Sequence, residues 1–218
     1  MTRQEFAQDF GFSALTKRFH GPWDHERTAL ETVADGATDR VDEPPGSAAL
    51  ALLEDTLRLL ESPLSSGAIT TLWLAATGRG YSLDRFGVDG RDWLRQIVDI
   101  CTERLRQVDP AHAATIPGPA SDELTRAVME EIRVAAPVLT AKTESRRGYE
   151  VEGVVPALEQ VVTEVDPDLG FRLFLRIMNA SWVPITEAQY ARYETLGERF
   201  GYGRFHVDDV EFLTQLKE

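Results

Sequence analysis

Apolar residues recur at helical spacing along most of this chain, and nearly every run is closed by a proline, a glycine or a capping side chain. Period-two alternation, the mark of a half-buried strand, is sparse. That pattern predicts an all-α protein: an irregular bundle of about eight to ten helices, or a short helical array.

The runs fall in order. A first short helix is expected over Thr2 to Asp9, followed by a segment carrying Phe10, Phe12 and Phe19. Pro22 suits a first helical turn, which predicts a helix to about Asp35, stopped by Gly36. Residues 36–46 are rich in proline, glycine and polar groups and read as a loop. Ser47 is placed to cap a helix whose stripe is Leu50, Leu53, Leu57 and Leu60, widened by Leu52 and Leu59 and ended by Pro63. The stretch from Ser66 to Thr77 is apolar nearly all round, as a centrally buried helix would be.

Asp89 opens the clearest amphipathic run, with Leu94, Ile97, Val98, Cys101, Leu105 and Val108 on one face. Ser121 opens a long helix through about Lys142, which Pro137 is expected to kink or split. The polar stretch 143–153 is the best internal boundary, dividing an N-terminal helical region (1–142) from a C-terminal one (154–218), the two packed as one domain. A helix over about 155–165 leads to Asp166-Pro167, a cap followed by a first-turn proline. Leu169 to Met178 is then almost wholly apolar, with Arg172 and Arg176 forming a narrow polar stripe. Thr186 and Gln189 stand at capping-box spacing before Tyr190, Tyr193, Leu196 and Phe200, and Gly201 stops that helix. Val-Asp-Pro occurs twice, at 108–110 and 165–167, too few copies for a repeat array.

Charge restricts the partners. There are 36 acids and 23 bases, a net −13. Phosphate neutralisation drives nucleic-acid affinity, so a strongly acidic chain argues against nucleic acid and is compatible with a basic protein partner. The N-terminal residues carry Glu5 and Asp9 and no apolar run, so no secretory signal is expected. The longest nearly apolar stretch, 68–76, falls far short of the roughly 20 residues that span a bilayer. The single cysteine rules out an internal disulfide and fits a reducing compartment. The chain is therefore expected in the cytoplasm, away from membranes.

No strong catalytic motif is present: no GxSxG, HExxH, CxxC, P-loop or GxGxxG. His20, Asp24 and His25 are close in sequence but match no standard ligand spacing and read as a polar helix start. His206, Asp208 and Asp209 form an HxDD string that has the donor types for a divalent cation, but Asp208 is equally a helix cap and Asp209 a first-turn acid. Cys101 lies on an apolar stripe and reads as a small buried hydrophobe. Arg146, Arg147 and Tyr149 are flanked by glutamates and read as a solvated linker. Neither a cofactor nor a metal site is expected.

The segment Phe200 to His206 interleaves glycines with aromatics, a composition that gives large contact area at low entropy cost. Trp182, Tyr202 and Phe205 are the candidate anchors, with Asp208, Asp209 and Glu211 as rim charges. The expected function is thus non-catalytic: an acidic interaction protein that binds a basic protein. A small, acidic, helical, motif-poor chain has the general profile of immunity and antitoxin proteins, an analogy of profile only. The alternatives are a metal-dependent hydrolase built on a His/Asp site and a scaffold with no charged partner.

Overall fold

The computed structural model describes residues 6–20, 27–108, 121–145, 150–203 and 205–216. Among them are nine α-helices and no strand: α1 Gly11–Lys17, α2 Ala29–Gly36, α3 Ser47–Glu61, α4 Ser66–Ala76, α5 Gly90–Val108, α6 Asp122–Glu144, α7 Val154–Gln160, α8 Pro167–Ala180 and α9 Glu187–Phe200. A π turn, Val161–Val165, extends α7, and 3-10 helices cover Leu83–Phe86 and Asp208–Gln215. The all-α expectation holds.

Local chemistry sets most helix starts. Thr186 accepts from the Gln189 amide while the Gln189 side chain accepts from the Thr186 amide, a full capping box. Asp166 accepts from the amides of Asp168 and Leu169 ahead of α8. Ser121 caps α6, and Asp89 accepts from the Arg91 and Asp92 amides at the start of α5.

Several boundaries differ from expectation. Of the first expected helix, residues 1–5 lie outside the described residues, and 6–9 are not helical. The helix expected from Pro22 is displaced. Residues 21–26 lie outside the description, and α2 starts after Thr28, whose capping box with Glu31 wins the boundary. Gly46, not Ser47, caps α3, using the left-handed backbone (φ 81°) that glycine adopts without strain. Pro137 does not split α6. Pro137 and Arg133, whose carbonyl loses its helical partner, are both exposed, so solvent can satisfy that carbonyl.

The core has two aromatic groups. Phe12, Phe19, Tyr81 and Trp93 surround Trp73, whose indole N–H donates to the Tyr81 carbonyl at 3.0 Å. Phe171, Phe174, Tyr193, Phe200 and Tyr202 form the second. Of the residues expected inside, Leu57 is only half-buried, and Leu53, Trp73, Leu94, Ile97, Cys101, Leu105, Phe171, Phe174 and Leu175 are buried. Helices on both sides of 143–153 contribute to the same core.

The narrow polar stripe of Arg172 and Arg176 faces inward. Both are buried, as is nearly every residue of α8, which packs against α1, α4, α6 and the C-terminal 3-10 helix.

Candidate interaction surface

A buried charge cluster fixes α8. Arg172, 1% exposed, holds Asp55 of α3 with both terminal nitrogens, at 2.7 and 2.8 Å, and reaches Asp168 at 3.1 Å. Its guanidinium also lies over the Phe10 ring, 4.4 Å from the centroid. Arg172 is held charged: the Asp55 and Asp168 charges more than offset the penalty of burial. Asp55 accepts in addition from the Phe12 amide, and Asp168 accepts from the Tyr202 hydroxyl at 2.7 Å. Arg58 lies 3.6 Å from Asp55 and 3.8 Å from Asp166. α1, α3, α8 and the loop after α9 are therefore tied to one point. Gly11 makes this approach possible: its φ is 64°, and a Cβ there would sit 2.1 Å from an Asp55 oxygen.

The same tie positions the surface at the far end of α8. The helix closes in a Schellman motif, with the Trp182 amide on the Asn179 carbonyl and the Val183 amide on the Met178 carbonyl. Glycine is the usual residue at the left-handed position of that motif. Here it is Trp182, at φ 53°. A side chain in that conformation costs about 1–2 kcal/mol, and Trp182 does not recover it in the core, because it stays 56% exposed. Its indole meets Phe212 edge to face, at 5.6 Å between ring centroids.

Phe212 belongs to the 3-10 helix Asp208–Gln215, which the Asn179 amide anchors by donating to the Asp209 carbonyl. Asp208 and Glu211 project from it, exposed, with no cation of the described residues paired to either. Asp209 is exposed but paired with Lys17. The Tyr190 hydroxyl lies 3.4 Å from Asp208. Burial, then the charges of Asp208, Glu194 and Glu211, push that hydroxyl up in pKa, a sign of local negative potential.

The structure thus brings Trp182, Asp208, Asp209 and Glu211 onto connected ground. It separates the other two expected anchors from them. Tyr202 is buried, stacked on Phe200 and Phe171, and serves the Arg172 cluster instead of a surface. Phe205 is 48% exposed, but its amide donates to the Ala7 carbonyl, toward α1. Phe212 was missed in the sequence, where nothing sets it apart from the other residues of a short last helix.

The other candidate residues divide the same way. His206 is 3% exposed, against Tyr202 and Phe10, and burial drives its pKa down to about 4 although Asp9 opposes the shift. It is therefore turned into the core, away from the exposed carboxylate of Asp208. Asp24, His25, Arg146, Arg147 and Tyr149 lie outside the described residues. Among the described residues no group of three or more His, Cys, Asp or Glu side chains is arranged to hold a metal.

One cleft of about 10 Å³, between Asp9, Lys17, Arg176, His206 and Asp209, has room for about a single water. An open trough of about 510 Å³ between α2 and α5 is lined by Asp35, Asp99, Ile100, Glu103 and Arg104, with no histidine, cysteine or lysine among the described residues of its wall. Among the described residues no helix is long and apolar enough to cross a membrane. No protein-family model, no curated protein and no solved structure matches this chain.

Proposed function

We propose that the protein acts by binding a basic protein partner at the surface built from Trp182, Phe212 and the C-terminal 3-10 helix. Trp182 carries the reading. It occupies a backbone position that favours glycine and remains exposed, so neither local geometry nor core packing accounts for a tryptophan there. A large, rigid aromatic at a surface is the residue type that anchors protein interfaces. Asp208 and Glu211 beside it, and the −13 charge of the whole chain, favour a basic partner and speed its approach. An immunity-like or antitoxin-like role, in which an acidic protein neutralises a basic enzyme, is one form of this function.

Capture from the native host at low and high salt, followed by association kinetics with the captured protein, tests the reading. Rim charges act mainly on association, so Asp208→Asn with Glu211→Gln should slow association and flatten its salt dependence. Asp209→Asn should do less, because Lys17 already neutralises that carboxylate. Unchanged rates in the Asp208 and Glu211 variants contradict the proposed docking surface.

A further inference from the structure

Among the described residues only two non-glycine residues have left-handed backbone, Arg79 (φ 59°) and Trp182 (φ 53°). They stand at neighbouring helix ends. Arg79 closes α4, its amide on the Leu74 carbonyl at 2.8 Å, and Trp182 closes α8. Between these ends, with the last turn of α6 as the third wall, lies a notch of about 40 Å³ lined by Gly78, Arg79, Lys142, Thr143 and Ser181 among others.

Among the described residues the walls hold donors with no partner, beside helix-end carbonyls such as that of Ala180. The Nε–H of Arg79 is buried and has no hydrogen-bond partner. No carboxylate of the described residues pairs with Arg79 or Lys142, in a chain with 36 acids. The Ser181 hydroxyl makes no hydrogen bond within the described residues. A buried donor left unpaired is costly, and such groups in folded proteins call for a specific explanation. Arg79 carries that cost together with a strained backbone at one spot, and strain of this kind concentrates at ligand clamps.

We infer that this notch between the C-terminal ends of α4, α6 and α8 is a binding site for a carboxylate group. The donors require an acceptor, and two cations favour an anion. A cavity of about 10–15 Å³ admits one water, so the 40 Å³ of the notch has room for a group of a few heavy atoms, the size of a carboxylate. The ends of three helices carry partial negative charge, about half a unit each, which disfavours a dianion and selects a carboxylate over a phosphate. The site adjoins Trp182 through Ser181 but needs no basic partner, and it is tested without one. Complementing the helix dipoles would by itself explain two cations here, so the experiment separates that role from binding.

The test is titration of the full-length ¹⁵N-labelled protein with sodium acetate at constant ionic strength, read at the Arg79 Nε–H and Ser181 amide signals. A saturable shift is expected, with a weaker response to phosphate. Loss of one charge-assisted hydrogen bond should weaken binding by about tenfold or more, so Lys142→Ala should do so without unfolding the chain, since Lys142 is exposed. Arg79→Gly, which takes the left-handed backbone without strain, should abolish the Ser181 response while leaving the fold intact. Short peptides with a free C-terminal carboxylate, against the same peptides amidated, distinguish the source. Binding of the free-acid peptide alone assigns the site to a protein carboxylate, and acetate binding with peptides excluded assigns it to a small free acid. A non-saturating shift equal to that with chloride, or unchanged acetate affinity in Lys142→Ala, overturns the inference and leaves the two cations as dipole complements only.

Discussion

Asp55 and Arg172, 117 positions apart, face each other in a two-pronged ion pair inside the protein, at 2.7 and 2.8 Å. Removing one partner of such a pair strands a buried charge, which typically costs about 3–5 kcal/mol. Asp55→Ala should therefore destabilise the chain by that amount in urea denaturation, and it also orphans the Phe12 amide. The double variant Asp55→Leu with Arg172→Met should recover a large part of the loss, because replacing both charges with apolar groups avoids desolvation. A double variant as unstable as the sum of the two single ones would show that the pair does not act as a unit.

His206 makes stability depend on pH. Its folded pKa of about 4 lies below the ordinary 6.5, chiefly through burial. Between those values the unfolded chain binds the extra proton and the folded chain does not. Stability is then full above about pH 6.5 and falls as pH drops toward 4, by roughly 3 kcal/mol for a shift of that size. Asp9, whose carboxyl is held below its ordinary value although burial pushes it up, loses its contribution only at lower pH, below about 3.8. Thermal melts of the wild type and His206→Asn from pH 7.5 to 4.5 check this. The variant should show a flatter dependence across the window, and parallel curves would contradict the assignment.

How much of this was legible in the sequence follows from range. Helix ends are local events, so the Thr186–Gln189 box, the Asp166-Pro167 start and the caps at Asp89 and Ser121 were all readable. The Thr28–Glu31 box was equally local but was overshadowed by Pro22. The partnership of Asp55 with Arg172 was not readable, since no nearby residue marks either one. Two arginines four apart on an apolar helix read as a narrow polar stripe, and the pattern does not say that the stripe is buried with the rest of α8. For the surface, Trp182 and the acids after it were readable as exposed types. The burial of Tyr202 depends on a hydroxyl contact 34 positions away, at Asp168.

Cys101 should be inert. It is fully buried, and burial pushes its thiol up to about 12, so almost no thiolate exists at neutral pH. A thiol-specific disulfide reagent should titrate no cysteine in the native protein and one per chain in denaturant. Rapid labelling of the folded protein would contradict the packing of α5 against its neighbours.

The direct test of the docking surface is Trp182→Gly, measured for both fold stability and partner capture. Glycine relieves the left-handed strain, worth about 1 kcal/mol or more, and the lost Phe212 edge contact offsets about 0.5–1.5 kcal/mol of it. The variant should therefore melt within a few degrees of the wild type. Captured side by side from the native host at low salt, the wild type should retain a basic protein that Trp182→Gly does not. A folded Trp182→Gly protein that retains the same partner equally well, or a wild type that enriches no basic protein, would contradict the account.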